Sequence, residues 1–268
     1  MTRFFLWFTL ALVMVGPWVA PYDPLMQHRE LANLVPGAQH WMGTDDFGRD
    51  IWSRFLSGGS WSILAGAGAT GLVLLLGWTI GGLAGYFGGW VDQLTMRVAE
   101  LFLVLPWIYL LLGVRALLPL DLSPRAALGL MLLLIGLLSW ARPARLVRGV
   151  VLSLREAGPV QAARGFGVSG TAIFVRHILP GTWDLLATQA LILLPRFVLA
   201  EVTLSFLGLG LGEPDPSWGA LLVPLKQAWR LDQHWWRTLP ALFMLPFFGS
   251  WAAGARAMAR AANRSTIR

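Results

Sequence analysis

Long runs without charge constrain this chain more than any other feature. An ionised side chain left in hydrocarbon costs at least a few kcal/mol, and about 20 apolar residues cross a bilayer as a helix. Phe4–Tyr22 and Phe55–Val91 are free of charge, as are the shorter runs Ala126–Ala141 and Thr238–Ala255. Two more apolar segments, about 98–118 and 185–207, carry charges inside them. The pattern predicts an all-α membrane protein of about six transmembrane helices, near 4–20, 62–85, 98–118, 125–141, 185–206 and 238–256. Gly81-Gly82 and Gly88-Gly89 end the second run before Trp90.

Composition agrees. Only 13% of the residues are charged, against 56% hydrophobic, where soluble domains carry about 25% charged residues. That is too few charges to coat a soluble enzyme and too much apolar surface for a disordered chain. No cysteine is present, so disulfides, thiolate metal sites and cysteine nucleophiles are excluded. Arg3 ahead of an apolar run invites a signal-peptide reading. A cut after Ala20 would put Trp18 where a small residue is needed, so a retained anchor is expected.

The net charge of +7 has a positional explanation. With six spans and the amino terminus inside, the inner segments hold 12 basic and 3 acidic residues, the outer ones 8 and 9. This is the positive-inside asymmetry. It predicts a multi-pass protein with both termini cytoplasmic, and it leaves no basic surplus to suggest nucleic acid, for which no aromatic stacking platform appears. The expected organisation is a first transmembrane helix over 1–20, an external segment over 21–60, and a core of about five helices over 61–268. That core includes an internal loop at 142–183 and an external segment at 207–235.

Three pieces outside the spans are long enough to carry function. In the external segment, Thr44 or Asp45 is expected to cap an interfacial helix with Ile51, Trp52 and Phe55 as its apolar stripe. Its acidic residues lack the alternating ligands, central glycine and late glutamate of a calcium loop. In the internal loop, Gly158-Pro159 breaks any helix leaving the membrane, and Pro159 suits the first turn of a new one. That helix should run over 160–166 and end at Gly167, and a second, from about Ser169 to Leu179, should stop at Pro180. The small residues Ala162 and Ala163 would let another protein approach closely, with Arg164 and Arg176 flanking them. A solvated amphipathic linker fits the same pattern. In the external segment after the fifth span, Gly208-Leu209-Gly210-Leu211-Gly212 is followed by no Lys-Ser/Thr, so no nucleotide loop is read there.

Several residues carry a family resemblance. Gln161-Ala162-Ala163, then Gly167, then Leu179-Pro180 resembles the EAA loop of ABC-importer permeases, with Gln161 standing where that family has an acidic residue. Gly43-Thr44-Asp45-Asp46-Phe47-Gly48-Arg49-Asp50, followed by Ser53-Arg54, is similar to the external segment of the dipeptide/oligopeptide/nickel permease subfamily. Glu201–Gly210 with Pro216-Ser217-Trp218-Gly219 is similar to its fifth-span exit. The resemblance runs in order from about 41 to 222 and implies the second, C-type permease subunit of a type I ABC importer. It implies a second permease subunit as heterodimer partner, two ATPase subunits or domains that dock on 158–180, and an external binding protein. It also implies a bacterial inner membrane, ATP and Mg held by the ATPases, and no cofactor or catalysis in this chain. A membrane-embedded enzyme would need a convergent nucleophile and base or a metal cluster. A stand-alone secondary transporter would show repeated halves.

Charges inside a span default to functional hypotheses. Gln189 and Arg196 are seven apart and share a helical face, while Arg196 and Glu201, roughly 140° apart, do not. Partners on another span or subunit are expected, in a fixed ion pair or a moving one. Trp41, Trp52, Trp61, Trp90, Trp183, Trp218, Trp235 and Trp236 read as interfacial belt residues.

Overall fold

The computed structural model describes residues 15–104, 106, 109–110, 112–113, 123–211, 213–227 and 232–265. Most of the expected 4–20 span and the outer half of the 98–118 span lie outside these residues. The described elements are helical, with one isolated antiparallel bridge between Thr44 and Asp50. The α-helices among them are α1 (Ile51–Phe87), α2 (Gly89–Val104), α3 (Pro124–Ser139), α4 (Ala141–Arg155), α5 (Gly158–Gly165), α6 (Gly170–Ile173), α7 (Trp183–Phe206), α8 (Trp218–Leu222) and α9 (Leu239–Ser265).

Two helices among the described residues are long and apolar enough to cross a membrane, α1 and the continuous stretch Gly170–Phe206, each of 37 residues. The pair Gly129–Ser139 and Ala141–Arg155, bent by 47°, adds a third when counted as one span. A helix of 37 residues is about 55 Å long at 1.5 Å per residue, well beyond a hydrocarbon core of about 30 Å. The chain forms two compact units. One comprises Met1–Ala67, Leu120–Met131 and Leu194–Arg268, the other Gly68–Pro119 and Leu132–Leu193.

In the first unit, the expected interfacial helix does not exist as a separate element. Its stripe residues Ile51 and Phe55 open α1 itself. Neither Thr44 nor Asp45 caps it. Asp50 does, its Oδ2 accepting from the Ser53 amide and hydroxyl, each at 2.7 Å. Thr44 spends its hydroxyl on the Leu34 amide and the Leu31 carbonyl, and Asp45 accepts from the Phe47 and Arg49 amides. The helix continues through Gly58-Gly59 because those glycines serve a close approach. A Cβ on Gly59 would press into the Trp218 indole, and one on Gly58 would touch the Ser217 backbone. Trp218, read above as a belt residue, is 1% exposed and donates from Nε1 to the Phe55 carbonyl at 3.1 Å. Trp236 is likewise buried, whereas Trp41, Trp90, Trp183 and Trp235 are exposed.

In the second unit, α1 ends at Phe87, and Gly88 and Gly89 turn the chain with φ of +66° and +56°. Gly81 does not help to end the helix. Gly77, Gly81 and Gly85 form a small-residue stripe on which α4 lies, against Pro143, Ala144, the Arg148 carbonyl and Val151. Where lipid competes equally for apolar surface, such stripes hold helices by close backbone contact. Across α2, Phe102 meets Trp140 edge-on at 5.7 Å, Ala99 packs among Ala141 and Ala144, and Arg148 forks onto both oxygens of Asp92.

Candidate functional site

Two constellations hold the residues singled out in the sequence, one in each unit. In the second unit, Ala157 stands extended before α5 with Pro159 in its first turn, as proline's fixed φ suits. The helix closes in a Schellman turn: the Val168 amide donates to the Ala163 carbonyl at 3.1 Å and the Gly167 amide to the Arg164 carbonyl at 3.0 Å. Gly167 takes φ +74° with open space where a Cβ would stand. Its requirement is conformational and not one of room.

The two alanines part company. Ala163 is 8% exposed and joins an apolar cluster with Val147, Val151, Val160, Ile173, Ile178 and Leu186. Ala162 faces outward with Gln161 and Arg164. The expectation that both alanines face a partner is therefore corrected: an eight-residue amphipathic helix must turn one of two adjacent residues to its seat. Gln161 Nε2 reaches Glu156 Oε2 at 3.1 Å. The outward face gains an aromatic that the sequence reading missed, Phe166, at 88% exposure. Its signal was its place immediately before the left-handed glycine, where a side chain is thrown clear of the helix.

The second short helix begins at Gly170, capped by Ser169. Pro180 does not stop it. Over Phe174–Ile178 the helix widens by a π turn, Leu179 bonding back to the Phe174 carbonyl at 2.9 Å. A 3-10 turn over Pro180–Thr182 then hands the chain to α7. The widened turn absorbs the missing proline amide, so Gly170–Phe206 stays continuous. Arg176 and Pro180 are exposed and Leu179 is half-buried. The segment is fastened to α1 in two places, and α4 in a third. Tyr86 donates to the Gly170 carbonyl at 2.7 Å, Arg155 to the Tyr86 carbonyl at 3.1 Å, and Trp78 to the Thr182 hydroxyl at 2.9 Å.

In the first unit the two external motifs meet. Arg49 donates from Nε to Asp45 at 2.7 Å and from Nη1 and Nη2 to Glu213 at 2.5 and 3.1 Å. Arg54 adds a bond to Glu213 at 3.1 Å and one to the Pro24 carbonyl at 3.0 Å. Arg237 forks onto Asp46 at 2.9 and 2.6 Å. All three guanidinium groups are buried. Burial opposes the charge on Arg49, but the hydrogen bonds and charges of Glu213 and Asp45 outweigh it and hold its pKa above the ordinary value. These residues line a cavity of about 130 Å³. Gly43 (φ +72°) lies against Leu34 and Trp236, Gly48 (φ +72°) against His28, and Gly219 against Val202 and Ser205. Ser217 caps α8, accepting from the Ala220 amide at 3.0 Å. Glu213 and Arg237 escaped the sequence reading, since they join the motif across 164 and 191 residues.

Of the intramembrane polar residues, Gln189 is buried and Arg196 exposed, so their shared heptad phase does not give them one environment. Glu201 is 0% exposed. Its partner is not a distant cation but Ser205, one turn on, which donates to Oε1 at 2.6 Å. The Ser62 and Ser217 hydroxyls lie beside the same carboxyl group, though among the described residues none meets its Oε2 in full hydrogen-bond geometry.

The chain matches, over residues 74–222, the family described as binding-protein-dependent transport system inner membrane component. It is 34% identical to the dipeptide transport system permease protein of Bacillus subtilis over 90% of this chain and 73% of that one. To the nickel transport system permease protein of Escherichia coli K12 it is 37% identical, over 81% and 77% of the two chains. The glutathione transport system permease protein of Pectobacterium atrosepticum is 34% identical over 85% and 75%.

Proposed function

The chain belongs to the family of binding-protein-dependent transport system inner membrane components, and we propose that it is the second permease subunit of an importer for peptides or a related small solute. It is a permease subunit of an ABC importer of the inner membrane. In our reading the cargo is a dipeptide, an oligopeptide, nickel or a metal chelate, as suits a chain similar to permeases for those solutes. A second permease completes the pathway, an external binding protein delivers cargo, and two ATPase subunits or domains hold ATP and Mg. This chain binds no cofactor and catalyses no reaction. It crosses the membrane six times with both termini cytoplasmic, as the arginine asymmetry favours.

The observation that carries this reading is the construction around α5. A short helix turns Gln161, Ala162, Arg164 and Phe166 outward while Val160 and Ala163 seat it in an apolar cluster. We assign the outward face to ATPase docking. The Schellman turn and the bonds from Tyr86 and Trp78 make the seat stiff, so displacement of α5 passes to α1 and to the start of α7 instead of dissipating in a loop. Closure of the ATPases then rocks the spans between inward- and outward-facing states. The Gly43–Asp50 and Ser217–Gly219 segments form the outer framework, and Gln189, Arg196 and Glu201 serve within the spans.

The test is purification of the whole chain from its native membrane. A second permease and ATPase should come with it, and ATP hydrolysis in the reconstituted complex should rise when the cognate binding protein is added with its cargo. A chain that purifies alone, and whose deletion leaves uptake of every such solute unchanged, contradicts the proposal.

A further inference from the structure

Three arginines follow one another along α4 at helical spacing, and they differ in what they meet. Arg148 closes on Asp92 of α2. Arg142 and Arg145, three residues apart and so neighbours on the helix surface, are exposed and join no ion pair among the described residues. With Leu103 of α2 and Leu146 they line an open groove of about 330 Å³. The other charged groups on the two facing helices are spoken for or turned to a second groove: Asp92 is held by Arg148, Arg155 by Glu156 and the Tyr86 carbonyl, and Arg97 and Glu100 line a separate space of about 230 Å³ with Asp92.

The place of this groove decides its chemistry. Trp140, at the bend where α3 gives way to α4, packs on Phe102, which sets Arg142 and Arg145 beside the inner start of the expected 98–118 span. By the arginine asymmetry this is the cytoplasmic boundary of the bilayer, the depth of lipid phosphates. Two guanidinium forks match phosphate oxygens, and the leucines on either side offer an acyl chain an apolar wall. Basic pockets between helices on the cytoplasmic side suit anionic head groups.

We propose that the groove of Arg142, Arg145, Leu103 and Leu146 is a binding site for one anionic phospholipid of the inner leaflet, held by its phosphate. Its occupant is a lipid and not free phosphate, because the groove stands at the proposed cytoplasmic boundary of the bilayer and half its lining is apolar. The inference rests on the topology proposed above. Accessibility labelling tests that topology separately, and lipid retention is read without any transport.

The purified importer complex, reconstituted in nanodiscs of equal phosphatidylglycerol and phosphatidylcholine, is examined by native mass spectrometry for retained lipid. Retained phosphatidylglycerol should exceed phosphatidylcholine by roughly tenfold or more for two arginines at an anionic surface. The preference should vanish in the Arg142→Gln/Arg145→Gln variant and survive in part with Lys at both positions. Millimolar inorganic phosphate should leave it unchanged. Equal retention by the double Gln variant overturns the site, and displacement by inorganic phosphate makes it an ion site instead. Should the Gln variant fail to assemble, a photoactivatable phosphatidylglycerol on the wild-type complex decides. Crosslinks on α4 around 142–146 support the proposal, and crosslinks confined to other helices overturn it.

Discussion

The Ser205 hydroxyl donates to Glu201 Oε1 at 2.6 Å while accepting the Leu211 amide at 3.1 Å. One serine thus ties a buried carboxyl group on α7 to the chain that leaves the helix. Ser205→Ala strands the amide and takes one of its donors from the carboxyl group, and leaving a buried polar group unpaired costs about 1–3 kcal/mol. A fall of several degrees in thermal midpoint is expected, measured on the detergent-solubilised chain. Glu201→Gln keeps an acceptor for Ser205 and should cost less than Glu201→Ala. Wild-type midpoints for all three variants would show that the bond carries no stability.

A second expectation concerns the α1 glycines. Gly81 lies against the Ala144 backbone, whereas Gly71, on the same helix, has open space where its side chain would be. Gly71→Ala should stabilise by about 0.5–1 kcal/mol, as alanine does in a helix. Gly81→Ala should instead separate α1 from α4 and reduce the yield of folded protein several-fold. Size-exclusion profiles compare them directly, and similar behaviour of the two variants would refute the close approach.

Glu213 is shared by Arg49 and Arg54. Its carboxylate is partly exposed, so its removal should cost less than the about 1.5–3 kcal/mol of a hydrogen bond to a buried charged group. Glu213→Gln retains an oxygen for one guanidinium and should fall between wild type and Glu213→Ala. Protease sensitivity of 21–60 is the readout, expected to rise in that order.

Topology can be read at exposed positions. Gln39 and Ser169 are both exposed, but Ser217 is fully buried, so a cysteine there would report burial and not sidedness. Cysteine at Gln39 should label only from outside and at Ser169 only from inside. Labelling of Ser169→Cys from outside would reverse the charge-based orientation.

How far the sequence spoke depended on the kind of constraint. Backbone restrictions were legible: Pro159 in a first turn and Gly167 in a left-handed cap follow from what those residues permit anywhere. Pro180 misled because a π turn supplied an alternative to stopping, and only the packing of Phe174 and Thr182 on α1 makes that turn worthwhile. Periodicity placed charges in spans but not their partners. Glu201 lies against serines that are 4, 16 and 139 residues away, and no spacing rule joins Ser62 to Ser217. The two alanines differ only by which way a short helix is seated, a choice made by Val147, Val151 and Ile173.

The central claim is that α5 docks an ATPase through its outward face, and the adjacent alanines separate that face from the seat. The most direct measurement is recovery of the ATPase with a purified Ala162→Trp variant, compared with Ala163→Trp. Ala162→Trp should yield folded, inserted permease that loses the ATPase at least tenfold, whereas Ala163→Trp, forced into a packed cluster, should fail in folding first. Wild-type ATPase recovery and normal uptake with Ala162→Trp would contradict the account and leave 158–180 a linker.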